Sequence, residues 1–196
     1  MAEVCVRVLV ALLLLSSLAF AGEITVVTVT PSSTWSTYDA VNLINGSGLV
    51  GGLHDGIFQH KWLSDENRIP AWLVFDLGSP QIVASTYIWN YGDGCCGPER
   101  STKNVDISWS NDNLAYTPVG GFVLGQPVGL PFPADILSLG VTARYIKFDL
   151  LTTYAASAYI GLGEVKFYND VPEPSAFWLA AAGIGTLVLR MRSRRG

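Results

Sequence analysis

Between residues 22 and 170, apolar and polar positions alternate with a period of two. Val105, Ile107 and Trp109 are interleaved with Asn104, Asp106, Ser108 and Ser110. That pattern predicts an antiparallel strand with one face buried. Ile146, Phe148 and Leu150 alternate with Lys147 and Asp149, and Val165 and Phe167 with Glu164 and Lys166. Two further runs, Trp72–Leu77 and Ile82–Asn90, are apolar on both faces, as central strands are, with Gly78-Ser79-Pro80 predicted as the turn between them. Gly, Pro, Asn, Asp and Ser punctuate the rest, and no long stretch carries a helical period. The expectation is all-β: an antiparallel sandwich or jelly roll over residues 22–170.

Both ends break this pattern. Residues 1–21 place Arg7 before the apolar run Val8–Leu15 and end in Ala19-Phe20-Ala21, which predicts an export signal peptide cleaved before Gly22. A short N-terminal membrane helix is the alternative. At the other end, residues 171–196 open with a Pro-Glu-Pro turn. They continue through the uncharged apolar segment Phe177–Leu189 and close on Arg190, Arg192, Arg194 and Arg195. Those 13 residues span roughly 20 Å as a helix, short for a ~30 Å hydrocarbon core. The arginines place that end in the cytoplasm, as a temporary or a permanent transmembrane anchor.

The ends also distort the composition. The 196-residue chain is 49% hydrophobic with a formal charge of −4. Residues 22–173 alone hold seven Lys and Arg against fifteen Asp and Glu, a net charge of −8. An acidic domain of this kind argues against a nucleic-acid partner and is compatible with metal cations and neutral sugars.

The tail resembles the PEP-CTERM sorting signal of exported bacterial proteins. The matching residues are Val171, Pro172, Glu173, Pro174 and Ser175, then Phe177–Leu189, then the arginines. The resemblance implies processing by an exosortase-type membrane enzyme. It implies transient inner-membrane anchoring and a destination at the envelope surface or extracellular matrix of a Gram-negative-type bacterium. The middle of the chain resembles discoidin (factor V/VIII type C) domains. The stretches "AWLVFDLGSPQIVASTYIWNY", "KNVDISWSNDNLAYTPV" and "ARYIKFDLLTTY…IGLGEVKFY" carry the likeness over most of residues 38–168. It implies a discoidin-like jelly-roll β-sandwich that binds sugars, lipids or proteins at cell surfaces.

Sugar-binding discoidin relatives often hold a structural calcium ion under a Gly/Asn-rich loop, here "AVNLINGSGLVGGLHDG". Carried over, the resemblance implies carbonyls from Asn42, Ser47 and Gly163, a side-chain oxygen from Asn45 and a carboxylate from Glu164, with Asp55 as an extra ligand. Asn45 stands where an Asp is usual, which removes a charge from the site. A calcium-free loop held by its own hydrogen bonds is the alternative. Asn45-Gly46-Ser47 also matches a glycosylation sequon, an accidental match in a bacterial protein.

The adjacent cysteines of "YGDGCCGPERS", Cys95 and Cys96, are open to three states: a vicinal disulfide, pairing with another molecule, or free thiols. An oxidising, exported setting favours the first. His54 and His60 lack the further Cys or His that a zinc site would use, so the histidines predict no metal centre. Arg144 and Asp76 read as structural: an ion-paired arginine, and a carboxylate bonding the turn at Gly78.

Among the loop aromatics Trp35, Trp62, Trp89, Tyr91 and Tyr154, exposed rings would stack on sugars. Tyr91, Arg100 and Tyr154 are the expected ligand contacts at the loop end. No nucleophile elbow, phosphate loop or metalloprotease motif is present. A hydrolase would need a cleft with two carboxylates about 5–10 Å apart. The expectation is therefore a non-catalytic exported protein that binds extracellular polysaccharide or a surface glycan. A structural or adhesion role toward protein partners is the alternative.

Overall fold

The computed structural model describes residues 22–92 and 97–169. The signal peptide, Cys95 and Cys96, and the sorting motif with Val171, Pro172, Glu173 and Pro174 lie outside the described residues. Among the described residues no helix is long and apolar enough to cross a membrane.

Ten strands build the domain: β1 (Glu23–Ile24), β2 (Thr28–Pro31), β3 (Leu49–Val50), β4 (Leu53–His54), β5 (Trp62–Leu63), β6 (Ala71–Asn90), β7 (Thr102–Ser110), β8 (Thr117–Val123), β9 (Asp135–Thr153) and β10 (Gly161–Tyr168). β6 and β9 pair antiparallel along nearly their whole length. One half of this ribbon is flanked by β2 on β6 and by β7 and β8 beyond β9. The other half is flanked by β10, which carries β1 and β5. The ribbon bends where its register shifts, between Asp76 and Gln81 and between Val83 and Ser85. The halves thus become the two layers of a β-sandwich.

The Gly78-Ser79-Pro80 stretch differs from the sequence expectation: it is a bend within β6 and does not reverse the chain. Gly78 sits at φ +80°, a left-handed conformation that glycine adopts freely. Asp76 holds the bend, its carboxylate accepting from the Gly78 N–H at 2.7 Å.

The alternating residues meet between the layers. Val105, Ile107, Ile146, Phe148, Leu150, Val165 and Phe167 are all buried. Phe75, Phe148 and Phe167 pack edge-to-face at centroid separations of 5.1–6.2 Å. Since Phe167 lies on β10 and Phe75 and Phe148 on the other half of the ribbon, these rings join the two layers. Fully burying each such side chain stabilises the fold by about 1.5–3 kcal/mol.

The strand direction of β10 sets the layout of everything below. Its first residue, Gly161, pairs with Leu63 at the end where the long loops gather. Its other end runs into Asn169, whose backbone and side chain clasp Gly22 through bonds of 3.1 and 2.9 Å.

Candidate functional site

Three loops converge at the Gly161 end. The Trp35 N–H donates to the Leu63 carbonyl at 3.0 Å, the Asp65 N–H to Ser33 Oγ at 3.0 Å, and the Asn67 N–H to the Ala158 carbonyl at 2.8 Å. These bonds bring aromatic residues into a row. Phe58 lies 5.8 Å from Tyr38, Tyr38 lies 5.5 Å from Trp35, and Trp35 lies 5.2 Å from Tyr159. The Arg100 guanidinium sits 5.1 Å from the Tyr159 ring centre and closes the row. Tyr38 is buried and forms the floor. Trp35 and Tyr159 are half-buried, and Phe58 is 46% exposed. Half-exposed rings beside a cation offer a stacking face and a directional donor set together.

The expected ligand contacts fare differently. Arg100 is in the row. Tyr91 is corrected: it is wholly buried, packed with Tyr38 and Leu63, and lies under the Lys61 ammonium at 5.0 Å, so it has no face for a ligand. Lys61 is itself buried and donates to the Gly92 carbonyl. Tyr154 is half-buried, its hydroxyl donating to the Leu124 carbonyl and its ring carrying Lys103 at 5.6 Å. Among the described residues no ring contact joins it to the aromatic row. Trp62 is a core residue, and Trp89 is buried on the outer face under the β3–β4 hairpin, its indole N–H donating to the Gly52 carbonyl at 3.0 Å. Phe58 and Tyr159 carry no sequence signal that separates them from other loop aromatics; only the loop convergence assembles the row.

The second constellation lies on the outer face of β10. Glu164 faces away from the core, opposite Trp89, and the 45–54 loop folds over it. The carboxylate accepts from the Gly46 N–H at 3.1 Å through Oε1, while Oε2 is buried without a hydrogen-bond partner. Burial pushes the Glu164 carboxyl up to about 8, so at pH 7 it is mostly protonated when nothing positive accompanies it. Ser47 Oγ and His54 Nε2 are also buried and unpartnered. The His54 ring, 0% exposed, is wedged between two glycines: a Cβ on Gly48 or on Gly163 would lie 3.1 Å from Nε2. Burial holds the imidazole below its ordinary pKa and keeps it neutral.

The other carried-over side chains bond within the loops; the Asn42, Ser47 and Gly163 ligands implied above are main-chain carbonyls, separate from these side-chain atoms. Asn45 Oδ1 accepts from the Ser47 N–H at 2.8 Å, and Asn42 donates to the Lys61 carbonyl at 3.0 Å. Asp55 faces outward, accepting from the Ile57 N–H and pairing with His60 Nδ1, each at 2.9 Å. Burial works against its ionisation, yet these bonds hold its carboxyl below the usual range. Gly163 lies at the bulge where the β10 register shifts. Among the described residues no three His, Cys, Asp or Glu side chains surround one point. Glu164 Oε2, Ser47 Oγ and His54 Nε2 are the buried side-chain atoms without a hydrogen-bond partner among the described residues, and His54 is not among the ligands that the resemblance implied.

Arg144 and Asp76 occupy the roles expected of them. The guanidinium donates to both carboxylate oxygens at 3.0 Å. Beside the β3–β4 hairpin an open cleft of about 360 Å³ is lined by Tyr87, Trp89, Tyr168 and Lys166.

Comparison with known proteins decides the family. Residues 28–164 match the F5/8 type C domain. The chain belongs to that family. No curated protein sequence matches it significantly, but solved structures share the fold. A carbohydrate-binding module, "CBM32 of AlyQ in complex with 4,5-unsaturated mannuronic acid", is 21% identical with a TM-score of 0.57, covering 76% of this chain and 99% of that one. A fucose-binding module of Streptococcus pneumoniae is 21% identical with a TM-score of 0.58, covering 79% of this chain and 100% of its own. The lectin domain of lectinolysin, complexed with Lewis B antigen, is 20% identical with a TM-score of 0.56, covering 74% and 93%. This F5/8 type C domain thus has the sandwich that the strand pattern and the resemblance both implied.

Proposed function

We propose that this F5/8 type C domain is a non-catalytic carbohydrate-binding module that takes a surface or matrix polysaccharide at its loop end. The row Trp35–Tyr159–Arg100 is the observation that carries this reading. Sugar rings stack on half-exposed aromatic faces, and a guanidinium fixes hydroxyls or a carboxylate. The glycan ligands named for the three structural relatives support the same ligand class. Within this reading, the chain is exported by its signal peptide, sorted by an exosortase-type enzyme through Val171–Pro174, and held transiently in the inner membrane. The pocket at Glu164 holds one structural cation, for which family resemblance implies calcium. When bound, the ion neutralises the carboxylate and ties the 45–54 loop to β10.

The test is a glycan panel that includes the host's own exopolysaccharide, read with the full-length chain in detergent. Trp35→Ala is expected to weaken the best ligand by about tenfold or more, the loss of roughly 1.4 kcal/mol, while Tyr154→Phe leaves it unchanged. Saturable binding that ignores Trp35→Ala would place the site elsewhere. No saturable glycan binding from folded protein would overturn the reading in favour of protein adhesion.

A further inference from the structure

We propose that the open cleft beside the β3–β4 hairpin is a second carbohydrate site, on the flank of the sandwich, for a neutral hexopyranose unit. It goes beyond the loop-end reading and stands on separate residues.

The strand register builds the site. Ile88, Val165 and Phe167 point into the core, so their neighbours Tyr87, Trp89, Lys166 and Tyr168 stand on the outer face. Lys166, Tyr87 and Ile136 are register partners and form one row across β10, β6 and β9. The wet face of an antiparallel sheet is ordinarily polar. This one carries three aromatic rings and Ile136, which is 55% exposed. Tyr87 lies 4.6 Å from Tyr168 and 6.2 Å from Trp89, tilted to them by 56° and 35°. Tyr87 and Tyr168 are half-buried, so ring surface stays open to a ligand. The hairpin forms one wall, hooked in place by the Trp89 indole bond to the Gly52 carbonyl.

The lining selects the occupant. The cleft, about 360 Å³, is of small-ligand size. A pyranose has apolar C–H faces and a rim of hydroxyls, and the tyrosine rings take such a face. At the edge, Lys166 Nζ donates to Glu23 Oε2 at 2.9 Å. An ammonium has three N–H donors and a carboxylate accepts through both oxygens, so the pair can meet neighbouring hydroxyls with a donor and an acceptor. Its two charges cancel, and residues 22–173 carry a net charge of −8. A polyanion is therefore repelled and a neutral sugar is not. Lys166 lies five residues along β10 from Gly161, roughly 17 Å at strand rise, which separates this cleft from the aromatic row. One polysaccharide chain gripped at both places would be held more tightly than at either alone.

The full-length chain, in a detergent without a sugar headgroup, is titrated by calorimetry with neutral trisaccharides of glucose, galactose and mannose. At least one is expected to bind Trp35→Ala, which lacks the loop-end contact. In that background Tyr87→Ala should weaken the trisaccharide by about tenfold or more. Ile136→Arg fills the cleft from an exposed position and should abolish the remaining binding, so the test stands even if Tyr87→Ala fails to fold. A trisaccharide of glucuronate should bind the flank about tenfold more weakly than the neutral one; equal binding overturns the neutral class. Binding wholly lost in Trp35→Ala overturns the second site and leaves the loop-end reading standing. Binding lost in the flank variants alone supports the second site and overturns the loop-end reading. Binding that ignores all three substitutions, or no binding to folded protein, overturns both.

Discussion

Asp76 shows how a single carboxylate serves two bends of the chain. It accepts both Arg144 nitrogens and the Gly78 N–H, and so ties β9 to the kink of β6. The Arg144 hydrogen bonds, against a smaller cost of burial, hold its carboxyl below the usual range. Its folded pKa lies below the unfolded value of about 3.9. The stability it contributes is therefore present above about pH 4 and is lost as pH falls through the folded value. Asp76→Asn should lower the urea midpoint at pH 7, and the gap to wild type should close as the pH is lowered past that value. A gap that stays constant with pH would mean that the pairing does not stabilise the fold. The structural role of each was legible in the sequence, an arginine before a strand and a carboxylate before a glycine turn; their pairing with each other was not. Tyr91 was not: beside a loop, an aromatic reads as a ligand contact, and only the buried Lys61 above it shows otherwise.

Strands were legible where one face is buried and the other wet, because alternation reports that difference directly. β7, the second half of β9 and β10 follow their patterns. The kink of β6 was not, since Gly-Ser-Pro signals a change of direction without saying whether the chain reverses. Nor was the aromatic row, which depends on hydrogen bonds between loop residues about 30 to 90 positions apart. Gly161 is where such an element-level constraint is sharpest. A Cβ there would lie 2.5 Å from the Trp62 carbonyl and 2.8 Å from the Tyr91 ring. The backbone of β5 cannot yield as a flexible side chain would. Gly161→Ala should destabilise the domain by about 1–3 kcal/mol, read as a lower urea midpoint with an unchanged slope. A neutral effect would mean that β5 is free to shift.

At the scale of the molecule, one core joins the two layers, and its centre is the Phe75–Phe148–Phe167 cluster. Phe148→Ala leaves a cavity facing both halves of the β6–β9 ribbon and should cost about 3–5 kcal/mol. Unfolding followed by tryptophan fluorescence and by circular dichroism should still trace one transition. Separate transitions would mean that the layers are independent units.

The clasp between Gly22 and Asn169 has a consequence for how the protein can be handled by whatever holds it. The eight residues of β10 run from the aromatic row to that clasp, roughly 25 Å at strand rise. Both described termini therefore leave from the pole opposite the loops. A leash at either end acts as a handle, and the ring-lined face points outward from it. Copies moored to one surface would all present that face in the same direction, so a long polymer could bridge many of them and gain in hold from their number.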